Sequence, residues 1–198
     1  MQAMMKDAGI LFAITLIAGL LLGLVNMVTA APIKEQEELA RVSAFQEVFA
    51  DAVDFPSVDA DGATSVILAD FPMQQIDEVV EAKDASGNTL GYVVTVTTKE
   101  GYGGNIQFAL GIRNDGTLNG MSILSIAETA GLGMRADEVL KPQFAGKNVE
   151  TFTYVKGGAA SGDDQINAIS GATITTNAVT NGVNAGLFYF REVLQGNA

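Results

Sequence analysis

The strongest hydrophobic pattern in the chain is an uninterrupted apolar run near its amino terminus. Residues 8–33, between Asp7 and Lys34, carry no charge and are rich in Leu, Ile, Ala and Gly. A helix rises about 1.5 Å per residue, so about 20 apolar residues cross a bilayer core of about 30 Å, and this run is longer. We therefore predict a short tail at residues 1–7 and a transmembrane helix at residues 8–32.

A secretory signal peptide is the competing interpretation of this run, because Val28-Thr29-Ala30 could precede a cleavage site. The run exceeds the usual signal-peptide core of about 7–15 residues, which favours a retained anchor. Its orientation stays open. Lys6 lies on one side, Lys34 and Arg41 lie on the other, and acidic residues count for little in the positive-inside rule.

After Pro32 the apolar spacing changes to that of an amphipathic helix. Apolar side chains recur at steps of three and four between charged residues, at Leu39, Val42, Phe45, Val48, Phe49 and Ala52. We predict a stalk helix over residues 33–54 with one face packed on a domain at residues 55–198. Residues 54–70, with several aspartates and a proline, are predicted to be loop with a short strand at Ser65–Leu68.

Alternating apolar positions next predict two consecutive hairpins. The first joins Ile76–Lys83 to Thr89–Thr98, and the second joins Ile106–Arg113 to Leu118–Ile126. Residues 84–88 and Asn114-Asp115-Gly116 supply the turns, since Asp, Asn and Gly favour tight hairpin connections. The hairpins predict a four-stranded antiparallel sheet.

The remaining chain is predicted to pack helices on this sheet. We expect a short helix at Arg135–Leu140, a turn at 142–147, a strand at Phe152–Val155 and a mobile loop at Gly157–Asp164. A long helix then runs from about Thr175 to Leu194, with the apolar stripe of a helix that packs on a sheet. The predicted fold class is α+β.

Composition removes several kinds of chemistry. The chain has no cysteine and no histidine, which excludes disulfides, thiolate nucleophiles, the usual zinc sites and histidine general bases. We predict no catalytic residue and no metal site. A protein whose cofactor carries the redox chemistry needs none of these groups. The net charge of −12 lies wholly beyond the apolar run, since Lys6 and Asp7 cancel, and it disfavours nucleic acid as a partner.

The sequence Ile-Asn-Ala-Ile-Ser-Gly-Ala-Thr-Ile-Thr-Thr at residues 166–176 combines small residues with hydroxyls just before the long helix. The small residues are Ser170, Gly171 and Ala172, and the hydroxyls are those of Thr173, Thr175 and Thr176. Small residues let a planar or phosphorylated group approach the backbone, and free amides at a helix start favour an anion. Ordinary helix capping is the alternative, and spacing alone favours it.

Two glycine-bearing loops flank the second hairpin. They are Gly101-Tyr102-Gly103-Gly104 before it and Glu128-Thr129-Ala130-Gly131-Leu132-Gly133 after it. Taken alone, such clusters indicate flexible connections, and no βαβ unit surrounds the second one to make it a dinucleotide site. In this order, however, the two loops and the later Ser-Gly-Ala-Thr motif resemble the FMN-binding domain family.

Within that family, the length, the single span and the stalk helix make the chain most similar to the G subunits of the Rnf complex, an ion-translocating ferredoxin:NAD oxidoreductase. The C subunits of the Na⁺-translocating NADH:quinone oxidoreductase are similar in plan and rank second. Two interpretations from other classes are a non-redox, membrane-tethered binding module and a stand-alone flavin reductase. No nicotinamide-binding segment is apparent for the latter.

The resemblance implies that FMN is held covalently, as a phosphoester on Thr173, and is attached by a separate flavin transferase that uses FAD and magnesium. It implies an electron carrier that completes no reaction alone. The other membrane subunits of the Rnf complex and the lipid bilayer would be its partners. The domain would lie on the extracytoplasmic side of the cytoplasmic membrane.

Site roles follow from the resemblance as hypotheses. Amides at residues 172–176 would hold the phosphate, with Ser170 and Thr176 as hydrogen-bonding side chains and Lys156 or Lys141 balancing its charge. The two glycine loops would line the isoalloxazine, through Tyr102, Gly103, Gly104, Glu128, Thr129, Gly131, Leu132 and Gly133. Glu128 or Thr129 would bond its polar edge. The family commonly has an acidic residue three positions before the motif serine, and here that residue is Asn167.

Overall fold

The computed structural model describes residues 2–60 and 62–195 of the chain. It divides into two compact units, Met1–Arg41 and Val42–Ala198. Helix α1, Gln2–Val48, supplies the first unit and the beginning of the second, and it is long and apolar enough to cross a membrane. It passes Pro32 without a break, so the predicted division into two helices has no counterpart in the backbone.

Helix α1 ends at Val48, before the predicted end at residue 54. Beyond it the chain pairs with the edge of the sheet: the Val53 N–H donates to the Lys83 carbonyl at 2.8 Å, and the Lys83 N–H donates to the Asp54 carbonyl at 2.9 Å. The sheet edge therefore supplies the acceptor that the Val53 N–H would have found inside a longer helix.

The predicted antiparallel sheet is confirmed. Its strands are β1 Gln74–Lys83, β2 Thr89–Thr98, β3 Ile106–Arg113 and β4 Leu118–Ser125, and they lie in sequence order. Each successive pair is antiparallel. In such a meander the β1–β2 and β3–β4 turns share one end of the sheet. The β2–β3 connection and the exit from β4 share the other end, which brings both glycine loops together.

Both faces of the sheet are covered. On one face lies α5, Thr173–Tyr189, whose Gly182 and Gly186 let it approach closely. A Cβ on these glycines would lie 2.6 Å from Phe108 Cζ and 2.4 Å from Leu110 Cδ1, respectively. On the other face a second cluster joins the end of α1 and the residues after it to the strands: Ala44, Phe45, Val48, Phe49, Ala52, Val80, Ala82, Val93 and Ala109.

Short elements connect β4 to α5. A 3₁₀ turn at Gly133–Arg135 leads to α3, Ala136–Val139, and α4, Lys141–Phe144, where the sequence predicts a single helix and a turn. Strand β5, Thr153–Val155, pairs in parallel with β6, Gln165–Asn167, a strand that the sequence pattern does not predict. Helix α5 is followed by a π-helical turn at Phe190–Leu194.

The strand predicted at Ser65–Leu68 is wrong. Residues Ala63–Ile67 form helix α2, and its two buried side chains, Ala63 and Ile67, lie one helical turn apart on the core. The Thr64 hydroxyl accepts the Ile76 N–H at 3.1 Å and donates to the Ile76 carbonyl at 3.3 Å. This side chain occupies the backbone groups at the edge of β1 that another strand would use.

Candidate functional site

A cavity of about 530 Å³ lies at the end of the sheet where both glycine loops meet the start of α5. Its volume is within the range of about 300–1,000 Å³ that is usual for cofactor and ligand sites. All of its lining residues except Ile174 are predicted site residues: Tyr102, Glu128, Thr129, Leu132, Gly133, Gly171, Ala172, Thr173, Ile174 and Thr175. The fold therefore unites three segments that are far apart in sequence.

The three threonine hydroxyls of the motif have different surroundings. The Thr175 hydroxyl donates to Glu128 Oε2 at 3.1 Å, and the Thr176 hydroxyl donates to the Ala172 carbonyl at 2.9 Å. Thr173 begins α5 and is half-buried in the cavity wall. Across residues 2–60 and 62–195, no hydrogen bond is recorded for its hydroxyl. Thr173 is thus the motif threonine whose oxygen is available to a ligand.

The Thr176 hydroxyl, a predicted phosphate contact, bonds the protein's own backbone. Besides its bond to Ala172, its hydroxyl accepts the Ile169 N–H at 3.1 Å, and its side chain is fully buried. The side chain therefore ties the loop before α5 to the first turn of that helix. Sequence spacing does not specify this bond, because a threonine inside the first turn can bond backward to its own loop as readily as outward to a ligand.

The start of α5 leaves backbone donors free. The Ala172 N–H bonds the Ile169 carbonyl at 3.1 Å, and the Thr176 N–H bonds the Ala172 carbonyl at 3.0 Å. In the described chain the N–H groups of Thr173, Ile174 and Thr175 have no recorded acceptor, and Ala172 at the N-cap position has no capping side chain. The ordinary capping interpretation therefore does not hold here. Free amides and the helix dipole favour an anion at this point.

The turn before α5 depends on a glycine. Gly171 has φ 77°, a left-handed conformation that side chains disfavour. A Cβ at this position would also lie 3.1 Å from Leu132 Cδ2, so a side chain would press on the cavity wall. Gly171 therefore allows both the turn and the close approach of the loop after β4.

Glu128 lines the cavity and is largely buried, with 8% of its surface exposed. Its Oε1 accepts the Gly103 N–H at 3.2 Å, while its Oε2 accepts the Thr175 hydroxyl. Protein groups therefore engage both oxygens, which differs from the predicted contact at the polar edge of a flavin.

Three large apolar residues that line the cavity are exposed. Tyr102, Leu132 and Ile174 line it with 71%, 41% and 52% of their surfaces exposed. Such exposure of large apolar side chains at a concave site is characteristic of a ligand site. A planar isoalloxazine fits the apolar walls, and the free amides and the Thr173 hydroxyl fit its phosphate, so the described residues are suited to FMN.

The other predicted site residues do not line the cavity. These are Ser170, Gly103, Gly104, Gly131, Thr176 and Lys156. Lys156 Nζ lies 5.7 Å from the centroid of the Tyr154 ring, and Lys141 is paired with Glu47 and Asp137. Since no lysine or arginine is among the lining residues, a phosphate there would be stabilised by backbone amides.

The asparagine at position 167, where the family commonly has an acidic residue, hydrogen-bonds the side chain of Gln143. Its Oδ1 accepts the Ala160 N–H at 2.8 Å, and its Nδ2 donates to Gln143 Oε1 at 3.1 Å. The Asn167 backbone N–H also donates to Gln143 Oε1, at 2.7 Å. A carboxylate at position 167 would lose the side-chain donation. Asparagine therefore suits this position. The spacing of the motif does not reveal this, because the partner Gln143 lies 24 positions away.

Comparisons with known proteins agree with this geometry. Residues 101–187 match the FMN-binding domain, and residues 1–48 match the RnfG N-terminal region. The chain is 37% identical over 187 residues to the G subunit of the Na⁺-translocating ferredoxin:NAD⁺ oxidoreductase complex of Acetobacterium woodii, covering 93% of this chain and 90% of that one. The chain belongs to the family of these G subunits. The predicted resemblance is confirmed.

Two further similarities are to a second G subunit and to a solved structure. The G subunit of the ion-translocating oxidoreductase complex of Methanosarcina acetivorans is 30% identical over 182 residues, covering 89% of this chain and 88% of that one. The crystal structure of Shewanella oneidensis NqrC matches with a TM-score of 0.61 at 21% identity, covering 84% of this chain and all of that one. The NqrC match shows the fold and does not favour the alternative assignment to that protein.

The chain is therefore a membrane protein with an FMN-binding domain, on the evidence of its family and its structure. Within the described residues α1 is the one helix long and apolar enough to span a bilayer. FMN as the cofactor is supported by the family and by the residues that line the cavity.

Proposed function

We propose that this chain is a membrane-anchored electron carrier of an ion-translocating ferredoxin:NAD⁺ oxidoreductase complex, with FMN esterified through its phosphate to Thr173. The observation that carries the proposal is the Thr173 hydroxyl, which has no recorded hydrogen bond in the described chain and lies in the cavity beside three free amides. The other two motif hydroxyls are engaged by the protein.

Each part of the cavity has a role in this proposal. Thr173 holds the phosphate covalently, and the N–H groups at the start of α5 stabilise its charge. Tyr102, Leu132 and Ile174 cover the apolar ring surface. Bound FMN supplies the transfer of one or two electrons, and the chain binds and orients it.

Attachment of FMN is assigned to a separate flavin transferase that uses FAD and magnesium. The remaining subunits of the Rnf complex are the proposed partners in electron transfer. Helix α1 anchors the chain in the cytoplasmic membrane, and the FMN-binding domain lies on the extracytoplasmic side.

Covalent attachment is tested by the intact mass of the denatured full-length protein, produced together with a flavin transferase, followed by peptide mapping. We expect the mass of an FMN phosphoester on the peptide that contains Thr173. Thr173→Ala should abolish it, whereas Thr151→Ala, at an exposed threonine outside the cavity, should leave it unchanged. Flavin that survives denaturation in Thr173→Ala would refute the assignment, and a colourless wild-type protein would favour a non-redox binding module.

Sidedness has a separate test, because the chain has no cysteine of its own. Ser161→Cys places a single thiol at an exposed position of the second unit. We expect a membrane-impermeant maleimide to label this thiol in intact spheroplasts. Labelling only after lysis would place the domain in the cytoplasm.

A further inference from the structure

The three sequence motifs converge on one buried carboxylate, that of Glu128. It follows β4, and only 8% of its surface is exposed. Within residues 2–60 and 62–195, no lysine or arginine forms an ion pair with it. It is also the one charged side chain among the lining residues of the cavity. A buried charge without a counter-ion is costly unless it accepts hydrogen bonds. The two hydrogen bonds that the Glu128 carboxylate accepts are therefore needed to stabilise it.

These two donors come from the other two motifs. Gly103, whose N–H bonds Oε1, lies 25 positions earlier in the loop between β2 and β3. Thr175, whose hydroxyl bonds Oε2, lies 47 positions later in the first turn of α5. The Glu128 carboxylate is therefore the direct polar link between both loops and the start of the helix that carries Thr173.

Two motif glycines make room for this carboxylate. A Cβ on Gly133 would lie 2.7 Å from Glu128 Oε2. A Cβ on Gly101 would lie 2.8 Å from Glu128 Oε1, and 2.1 Å from the Gly104 carbonyl oxygen of its own loop. Neither glycine has a positive φ, so backbone conformation does not require glycine at these positions. The space taken by the Glu128 side chain accounts for part of the glycine pattern in both loops.

We propose that Glu128 is a positioning residue of the flavin site: its carboxylate holds the two glycine loops against the first turn of α5 and so fixes the Thr173 hydroxyl at the cavity. This inference rests on the proposed function, because its consequence is the correct placement of an FMN phosphate. Glu128 acts through Gly103 and Thr175, and the free amides of α5 remain available to the phosphate.

Two substitutions separate the position of this side chain from its charge. Glu128→Gln keeps the shape and one acceptor for the Gly103 N–H, and its amide can donate to the Thr175 oxygen, since a hydroxyl both donates and accepts. Glu128→Ala removes both links. Glu150→Gln is the matched control, because it removes one negative charge at an exposed position outside the cavity.

The first readout is the rate of flavin attachment to the full-length protein in detergent with purified flavin transferase, FAD and Mg²⁺. We expect Glu128→Ala to slow attachment about tenfold or more, the scale for losing a hydrogen bond to a charged group. Glu128→Gln should stay within about threefold of wild type, and Glu150→Gln should match it. Wild-type rates in Glu128→Ala would overturn the proposal.

The second readout is the reduction potential of the attached flavin. Glu128→Gln removes a negative charge from the cavity wall. Because this loss of negative charge stabilises the reduced flavin, the reduction potential should shift to more positive values. Glu150→Gln should not shift it. If Glu128 contributed only to folding stability, its substitution would change the melting temperature and leave the reduction potential unchanged. An unshifted potential in Glu128→Gln would therefore contradict the location of Glu128 beside the flavin.

The third readout needs no flavin and so separates this inference from the proposed function. Hydrogen exchange of the full-length protein made without flavin transferase should quicken in Glu128→Ala, in peptides that contain Gly103 and Thr176, and remain near wild type in Glu128→Gln. If wild type never acquires flavin but exchange behaves in this way, the proposed function fails and the positioning role stands. Unchanged exchange in Glu128→Ala would overturn the positioning role.

Discussion

The two ends of the four-stranded sheet satisfy their polar groups in different ways. At the turn end, Asp84 Oδ1 accepts the N–H groups of Ser86 and Asn88 at 2.8 and 2.9 Å, and Asp115 Oδ1 accepts the Thr117 N–H at 2.9 Å. Every one of these partners lies within four positions of the aspartate. Each aspartate therefore closes its own turn with local bonds. Two asparagine side chains add longer-range bonds at this end, from Asn114 to the Thr89 carbonyl and from Asn148 to the Asp115 carbonyl.

At the cavity end the partners are distant in sequence. Glu128 bonds Gly103 and Thr175 across 25 and 47 positions, and several backbone donors at the start of α5 are left without a recorded acceptor. The carboxylates at the turn end are occupied by donors of their own turns, whereas the loops that meet from three parts of the chain enclose a cavity with free donors. The comparison explains why the site lies at this end of the sheet.

The largest expected effect comes from filling the space between the loops. Gly133→Ala would place a Cβ 2.5 Å from Thr175 Oγ1 and 2.7 Å from the Glu128 side chain. Overpacking of this kind costs about 1–3 kcal/mol, and it displaces the start of α5. We expect flavin attachment to fall more than about tenfold, measured by intact mass over time, together with a lower melting temperature.

Gly120→Ala is the control for this substitution. Gly120 lies in β4 with an ordinary φ and no atom within 4 Å of a Cβ placed there. The Gly120→Ala protein should fold and acquire flavin as the wild type does. Equal behaviour of the two variants would show that the loops at the cavity end tolerate expansion, and the contrast between the ends would be lost.

A smaller effect is expected from Thr176→Val, which keeps the shape and removes the hydroxyl. The buried Ile169 N–H then loses its acceptor, at a cost of about 1–3 kcal/mol in the free energy of unfolding. Chemical denaturation of the full-length protein in detergent, followed by circular dichroism, measures this loss.

Thr180→Val is the matched change one turn later in α5. The buried Thr180 hydroxyl donates at 2.7 Å to the Thr176 carbonyl, an oxygen that can also accept a helical N–H, so no donor loses its acceptor. We expect a change of no more than about 0.5 kcal/mol. A comparable loss in both variants would mean that the tie between Thr176 and the loop before α5 contributes nothing specific.

The smallest effect concerns the turn end and depends on pH. The side-chain hydrogen bond from Asn88, with backbone hydrogen bonds from Asn88 and Ser86, holds the pKa of Asp84 below its usual value of 3.8. A carboxyl whose pKa is lower in the folded state stabilises the fold above its unfolded pKa, and this contribution is lost as the pH falls through the folded value.

We therefore expect the difference in unfolding midpoint between wild type and Asp84→Asn to be largest above about pH 4 and to shrink toward pH 2. Chemical denaturation at a series of pH values measures it. Flavin content should not change, because this turn lies at the opposite end of the sheet from the cavity. A difference that grows as the pH falls would reverse the sign of the argument.

Local patterns explain which parts of the fold were predictable. The bounds of β2 and β3 match the prediction because alternation and turn residues define a hairpin within a few positions. Strand β6 and helix α2 were missed or mistaken, since short segments take their structure from the chain they pack on. Helix α5 begins at Thr173, earlier than predicted, and its cavity residue Ile174 was missed for that reason.

The sequence by itself determined the apolar anchor, the sheet meander and the order of three motifs, because each depends on neighbouring residues. Only the tertiary structure decided which motif threonine keeps a free hydroxyl, that Lys156 lies away from the cavity, and that Glu128 binds the protein itself. The physical reason is distance along the chain. Hydrogen bonds across 25 and 47 positions exist only after the sheet and α5 have packed, and no local pattern specifies them.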